Sequence, residues 1–279
     1  MRERGFSHVV TLIIVAIAAI ILYNQLRLVQ TRSILQPKST STPTATPYAF
    51  PYQNPTIPKN DSYRLALVGD SMVAALGPNA NTLRLALIAH YPDSEFVNYN
   101  FGYGATNVLS LVERLTKTTT YLETATKPIL EYEVELIVIE SFAYNPLSSY
   151  PLVEGIAKQT AELEEAVNLI LNTKRRVALA FMTPIAPSYA NFAKNNFDIN
   201  AETRKLWVAE RIAYIDNHRK FAEDKGIPVI DVYRSSLGAD GLADERFISA
   251  DFIHPSTAGL LLMSTEIADY IYENRIFPE

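Results

Sequence analysis

Short apolar segments and longer amphipathic segments alternate along the chain from residue 62 onward. Five of the short segments have the length and apolar content of buried strands, and turn residues or charged residues follow them. They lie at residues 64–69, 95–100, 136–140, 177–182 and 227–233. The pattern therefore predicts five buried strands separated by helices.

The segments between these strands predict helices, because apolar residues recur on one face at helical spacing. One such face carries Ile156, Leu163, Val167 and Ile170, and that of the last helix carries Leu260, Met263, Ile267 and Ile271. Further helices are expected at 82–90, 108–126 and 202–224. Five strands, each followed by a helix, indicate one parallel sheet that is covered on both faces and binds ligands at the carboxyl ends of its strands.

The first 32 residues predict a membrane anchor. No Asp, Glu, Lys or Arg occurs between Arg4 and Arg27, and the apolar centre runs from Val9 to Tyr23. About 20 mostly apolar residues suffice to cross a bilayer. A cleaved signal peptide is the alternative, but no small-residue cleavage site follows the apolar core, which favours an uncleaved anchor.

Residues 33–61 predict a linker between the anchor and a domain that spans 62–279. Six prolines stand there among many Ser and Thr residues, a composition typical of extended chain. Basic residues flank the apolar segment almost evenly, so charge does not decide its orientation. A domain held on such a stalk favours a single-pass protein of the cell membrane whose catalytic domain lies outside the cytoplasm.

Composition narrows the chemistry. Of the 279 residues 48% are hydrophobic, so the chain can bury a core. Without Cys it can form no disulfide, Cys zinc site, iron–sulfur cluster or Cys nucleophile. A net charge of −5 argues against a nucleic-acid partner. No metal or cofactor is expected, because no His, Asp and Glu cluster has ligand spacing and Gly102-x-Gly104 lacks the third glycine of a dinucleotide-binding loop.

A hydroxyl group stands where the first strand ends, in Gly69-Asp70-Ser71. Backbone N–H groups at the start of the following helix could stabilise an oxyanion beside Ser71. The same tripeptide is also typical of a plain turn in which Ser71 or Asp70 caps the helix. Taken alone it favours the plain turn, since a serine nucleophile also needs a base.

One of the four histidines lies where a base is needed. His254 follows the fifth strand, at the expected ligand end of the sheet, and Asp251 lies three residues before it. That spacing lets the carboxylate hold one imidazole nitrogen while the other faces Ser71, as in a Ser-His-Asp triad. The alternative is a loop histidine with Asp251 as a cap. The other three histidines lie in the N-terminal apolar segment, at a helix end and on an expected solvated helix face: His8, His90 and His218.

Two further positions follow the second and third strands. Gly104 lies in a glycine-rich turn, where backbone can approach a substrate closely. Asn145 precedes Pro146, and its amide can donate a hydrogen bond to the same substrate oxygen. The alternatives are a plain turn at Gly104 and a turn-forming Asn-Pro pair at Asn145.

These residues resemble the motifs of the SGNH/GDSL hydrolase family, whose order they follow over about residues 64–271. The resemblance implies an α/β fold, a three-layer α/β/α sandwich around a five-stranded parallel sheet of flavodoxin-like order 2-1-3-4-5. It implies that Ser71 is the nucleophile, His254 the base and Asp251 the residue that orients the base. It also implies an oxyanion hole built from the N–H groups of Ser71 and Gly104 and the side chain of Asn145.

The resemblance further implies a serine-dependent ester hydrolase that works through an acyl-enzyme. The expected position at the membrane favours an acylated cell-envelope glycan or another ester as substrate. An O-acyltransferase with the same triad is one alternative, since an alcohol can replace water as acceptor. A catalytically inactive binding domain is the other, because the family's third block usually reads Gly-x-Asn-Asp and here has neither the glycine nor an acidic residue beside Asn145. Residues 188–200 either border the substrate cleft or form a surface loop.

Overall fold

The structure, a computed structural model, describes residues 50–173 and 175–278. The expected membrane anchor, and the expected linker as far as residue 49, lie outside these residues. Within the described ranges there is no helix that is both long and apolar enough to cross a membrane. The expected domain boundaries stay predictions.

A parallel sheet of five strands forms the centre of the fold, as predicted. Its strands lie in the order β2-β1-β5-β6-β7, and all neighbours are parallel. β3 and β4 form a separate antiparallel hairpin. In chain order the described strands are β1 (Ser62–Gly69), β2 (Glu95–Gly102), β3 (Thr119–Tyr121), β4 (Thr124–Thr126), β5 (Leu136–Glu140), β6 (Ala178–Met182) and β7 (Val229–Ile230).

Helices cover both faces of this sheet. The α-helices of the described residues are α1 (Ser71–Ala74), α2 (Asn81–His90), α3 (Leu111–Thr116), α4 (Leu152–Leu171), α5 (Ala201–Lys225), α6 (Val232–Ser235) and α7 (Thr257–Glu273). α2 and α7 pack on one face, and α3, α4 and most of α5 pack on the other. Alternate residues of β1 supply the two cores, with Leu65 and Leu67 in the first and Ala66 and Val68 in the second. The result is the predicted three-layer sandwich.

The hairpin of β3 and β4 corrects two expectations. The sequence pattern predicts a helix over residues 108–126, but this stretch forms a 3-10 turn (Val108–Ser110), then α3, then the hairpin. Threonines dominate residues 118–126, and their β-branched side chains favour extended backbone. The strand order also differs from the predicted 2-1-3-4-5, because β3 and β4 come between the second and third strands of the sheet along the chain.

His218 corrects a third expectation. It lies on α5 and is fully buried, not solvated, with its ring stacked on Phe181 of β6 at 4.4 Å between centroids. Burial lowers the pKa of His218 to about 3. The charged neighbours that suggested a solvated face, Asp216 and Arg219, pair with each other. Successive helix residues point about 100° apart, so charged neighbours do not fix the face of the residue between them.

The last strand is shorter than predicted, and a tyrosine fills the gap. Asp231 ends β7 early by capping α6, where its side chain accepts a hydrogen bond from the Arg234 N–H. On the side of β6 that faces this short strand, the Leu179 N–H donates to the hydroxyl oxygen of Tyr52 at 2.8 Å. The Tyr52 N–H donates to the Lys225 carbonyl at the end of α5. The last part of the predicted linker therefore contacts the sheet domain.

Candidate active site

The loop after β1 holds the candidate nucleophile. Asp70 is fully buried, and Ser71 begins α1. The Asp70 carboxylate caps this helix by accepting a hydrogen bond from the Met72 N–H at 2.9 Å. The first N–H groups of a helix have no partner within it. Both the hydroxyl and the N–H of Ser71 thus stand at the carboxyl end of the sheet.

Asn145 lies in the turn after β5 and is tied to the nucleophile turn. Its Nδ2 donates to Asp70 Oδ2 at 3.0 Å. An amide nitrogen carries two hydrogens, so the second stays available to a ligand. The Asn145 N–H closes the turn onto the Phe142 carbonyl, and Phe142 takes a φ of 56°, a left-handed conformation that bulky side chains rarely adopt. The turn thus forms without the glycine that is usual in the family's third block.

Two buried carboxyl groups lie beneath these turns. Glu140 ends β5 and accepts hydrogen bonds from the Phe142 N–H at 2.9 Å and from the Ser141 hydroxyl at 2.8 Å. Burial raises the pKa of Asp70. Burial also raises the pKa of Glu140 well above its ordinary value, and the nearby Asp70 charge adds to the rise. Two carboxylates close together in a desolvated site disfavour double ionisation, which raises the pKa of Glu140 and favours its protonated form.

Asp251 and His254 meet in the loop before α7. His254 Nδ1 lies 2.6 Å from Asp251 Oδ2. Asp251 Oδ1 accepts hydrogen bonds from the Ser249 hydroxyl and from the N–H groups of Ile253 and His254. Burial alone would raise the pKa of Asp251, but these hydrogen bonds outweigh it and hold the pKa well below its ordinary value. Asp251 is therefore a carboxylate at neutral pH and fixes the orientation of the imidazole.

Four of the five candidate residues line one cleft of about 790 Å³, and Asp251 contacts it through His254. Ser71 comes from the loop after β1, Gly104 from the loop after β2, Asn145 from the loop after β5 and His254 from the loop before α7. His254 Nε2 makes no hydrogen bond to any other described residue, Ser71 included. Such contacts are often loose before substrate binds. No group of three or more His, Asp and Glu side chains in the described part of the chain could hold a metal ion.

Aromatic side chains form another part of the wall of this cleft. Phe192 and Phe197 lie on it, so residues 188–200 border the cleft, which is the first of the two alternatives for this segment. Trp207 and Arg211 of α5 complete the wall. The Arg211 guanidinium lies 4.5 Å from the centroid of the Phe192 ring. This part of the lining therefore combines aromatic surface from Phe197 and Trp207 with the opposite charges of Arg211 and Glu210.

Gly104 meets the hairpin inside the cleft. Its N–H donates to the hydroxyl oxygen of Tyr121, the last residue of β3, at 2.8 Å. The Tyr121 ring stacks on Tyr103, with 4.5 Å between centroids and 7° between planes. The N–H that the sequence assigns to the oxyanion hole thus already has a partner.

Arg114 joins the ends of β1 and β2 below the cleft. It is 2% exposed, and Nη1 donates to the carbonyls of Gly69 at 2.8 Å and Phe101 at 3.0 Å. Its guanidinium lies 4.3 Å from the centroid of the Tyr103 ring. Burial lowers the pKa of Arg114 to about 10, so the group stays charged at neutral pH. Arg114 therefore fixes the two loops that carry Ser71 and Gly104.

Solved structures that are described as lipases or acylhydrolases share this architecture. A GDSL-like lipase from Parabacteroides merdae superposes with a TM-score of 0.55, covering 80% of this chain and 100% of its own, at 15% identity. The fold is that of the GDSL lipases and acylhydrolases. A lipase/acylhydrolase from Enterococcus faecalis has a TM-score of 0.53 over 76% of this chain and 96% of its own, at 17% identity. An acylhydrolase from Bacteroides fragilis has a TM-score of 0.51 over 79% and 91%, also at 17% identity.

No protein-family model and no curated protein matches this sequence. At the identities of the solved structures, the likeness to the GDSL fold concerns the backbone alone.

The sequence pattern does not identify three residues that lie in this cleft or are buried near it: Tyr121, Arg114 and Glu140. Tyr121 stands in the stretch for which the pattern predicts a helix. Arg114 lies four residues after Ser110, to whose hydroxyl it donates, but nothing in the sequence marks that pair. Glu140 offers a usable signal, because it is a carboxyl group at the end of an otherwise fully apolar strand.

Proposed function

We propose that this protein is a serine-dependent ester hydrolase, with Ser71 as nucleophile, His254 as general base and Asp251 as the residue that orients the base. The observation that carries the proposal is the meeting of Ser71, Asn145 and His254, from three separate loops, on the walls of one cleft. The 2.6 Å contact between Asp251 and His254 supports it, because it engages Nδ1 and leaves Nε2 to take a proton. The GDSL fold agrees with it.

In the proposed first step, Ser71 Oγ attacks the carbonyl carbon of an ester while His254 Nε2 takes the hydroxyl proton. The carbonyl oxygen becomes an oxyanion, which the Ser71 N–H and the free hydrogen of Asn145 Nδ2 stabilise. Collapse of this intermediate breaks the bond to the alcohol, which leaves with the proton from His254. The acyl group is then an ester of Ser71.

In the second step, water attacks the acyl-Ser71 carbonyl and gives its proton to His254. Collapse releases the acid and returns the proton to Ser71. An alcohol in place of water would transfer the acyl group, so hydrolysis and O-acyl transfer share one machinery. Transfer remains the alternative, and an assay with added sugar acceptors separates the two.

An acylated cell-envelope glycan or a small acyl ester is the proposed substrate. The rings of Phe197 and Trp207 in the cleft support it, because flat apolar rings suit the faces of sugars and acyl chains alike. The glycan alternative also depends on the expected membrane anchor and on a domain outside the cytoplasm, which stay proposals.

Covalent labelling tests the proposed function. A fluorophosphonate should modify the wild-type protein at one serine, and Ser71→Ala should abolish the label. The same variant should lose at least about 10³-fold in turnover of the best substrate in a series of 4-nitrophenyl esters, from acetyl to long-chain acyl.

Ser149→Ala is the matched control, because Ser149 is exposed and does not line the cleft. It should keep both label and turnover. A wild-type protein that takes no label and cleaves no ester would refute the hydrolase and favour an inactive binding domain.

A further inference from the structure

Tyr121 occupies the place that the resemblance gives to the oxyanion. The Gly104 N–H points at the Tyr121 hydroxyl oxygen at 2.8 Å. A β-carbon built on Gly104 would lie 2.9 Å from that oxygen and 3.8 Å from the Ser71 β-carbon. The hydroxyl of Tyr121 and the side chain of Ser71 thus flank the same short piece of backbone.

The Tyr121 hydroxyl still has a hydrogen to give. A phenol carries one hydrogen and accepts through its oxygen, and the bond from Gly104 uses the oxygen. Among the described residues, this hydroxyl makes no further hydrogen bond. Donation from Gly104 also polarises the O–H group and makes it a stronger donor. On this side of the cleft, the group offered to a ligand is therefore an O–H in place of the backbone N–H.

The hairpin holds this hydroxyl firmly. The ring stacks on Tyr103, which in turn lies against the buried Arg114. A two-residue turn, Leu122 and Glu123, follows at once, with φ angles of 45° and 64°. Left-handed backbone at both central residues is the ordinary geometry of a two-residue hairpin turn, which sets the register of β3 against β4. A donor in an oxyanion hole has to be fixed in advance in this way.

We propose that the Tyr121 hydroxyl, positioned by the Gly104 N–H, donates a hydrogen bond to the oxyanion. This inference rests on the proposed hydrolase and assigns it a catalytic residue from the hairpin. The oxyanion hole then consists of the Ser71 N–H, Asn145 Nδ2 and the Tyr121 hydroxyl. The rival arrangement has Tyr121 as a plug, which must leave before the Gly104 N–H can reach the oxyanion.

Tyr121→Phe tests the proposal, because it removes the hydroxyl and keeps the ring that stacks on Tyr103. Turnover of the best 4-nitrophenyl ester should fall about 10²-fold in kcat with KM little changed, the loss typical of one oxyanion donor. Tyr121→Ala should show at least the same loss. Tyr132→Phe is the matched control, since its ring packs on Tyr99 and Phe101 and does not line the cleft.

Unchanged or faster turnover in Tyr121→Phe, with wild-type melting behaviour, would overturn the proposal in favour of the plug. Fluorophosphonate labelling keeps this result separate from the hydrolase itself. If wild-type Ser71 takes the label and the ester is cleaved, unchanged turnover in Tyr121→Phe refutes only the role of Tyr121 and leaves the proposed hydrolase in place. A wild-type protein without label or turnover refutes both proposals.

Discussion

The two sides of the cleft are held in different ways. On the base side, residues 249–254, Asp251 accepts hydrogen bonds only from residues within three positions of itself in the chain. On the hairpin side, formed by Gly104 and Tyr121, one hydrogen bond joins the loop after β2 to a residue of β3 that lies 17 positions further along the chain. The contact between Asp251 and His254 therefore depends mainly on the conformation of its own loop. The hairpin side depends on how two elements pack.

The largest expected effect comes from breaking the base side. In Asp251→Asn, the amide oxygen can still accept from the Ile253 and His254 N–H groups. The amide nitrogen then donates a hydrogen bond to His254 Nδ1, and the proton of the neutral imidazole stays on Nε2. In this tautomer Nε2 cannot take the proton of Ser71. We expect kcat to fall by about 10⁴-fold.

Steady-state kinetics on the best 4-nitrophenyl ester check this expectation, and thermal unfolding should show a folded variant. Asp93→Asn, at an exposed position remote from the cleft, serves as the control. If Asp251→Asn lost less than tenfold in kcat, the assignment of His254 as the general base, oriented by Asp251, would be wrong.

A smaller effect is expected where Asn145 connects the nucleophile turn to the cleft. Asn145→Ala removes the proposed donor to the oxyanion and also leaves Asp70 Oδ2 without its hydrogen bond. We expect kcat to fall about 10²-fold and the free energy of unfolding to drop by about 1–3 kcal/mol. Kinetics and denaturant titration measure the two losses separately. If Asn145→Ala kept the wild-type kcat but had a lower free energy of unfolding, the role of Asn145 would be structural and not catalytic.

The smallest effect concerns the floor beneath the nucleophile turn. The pKa of Glu140 is raised in the folded protein, so its contribution to stability is complete below its ordinary value of 4.5 and is lost as pH rises through the folded pKa. Glu140→Gln stays neutral, and its amide can keep the hydrogen bonds to the Phe142 N–H and the Ser141 hydroxyl. We expect the variant to melt about 2–4 °C higher than wild type at pH 8.

Melting curves of both proteins from pH 4.5 to 8 check this expectation. The difference in melting temperature between Glu140→Gln and wild type should become smaller as the pH falls. Turnover should change little, since Glu140 does not line the cleft. A variant that is less stable than wild type at every pH would contradict a protonated Glu140.

The same contrast explains what the sequence could predict. The strand over 136–140 was recoverable to the residue, because its apolar run is bounded by polar positions. The Asp251 and His254 contact follows from local spacing. Tyr121 could not be found, because its partner Gly104 becomes a neighbour only once the hairpin packs. The burial of His218 likewise depends on which face of α5 packs on β6. The charged residues beside His218 in the sequence suggest an exposed face instead.

The bond between Tyr52 and Leu179 has a consequence for the handling of this protein. An open strand edge is a template on which another chain can pair. Because β7 spans only two residues, the tyrosine from the upstream segment closes that edge of β6. A shortened chain that starts at Ser62 would lack Tyr52, expose this edge of β6 and favour self-association. A chain that starts before Phe50 would keep Tyr52 and its hydrogen bond to Leu179.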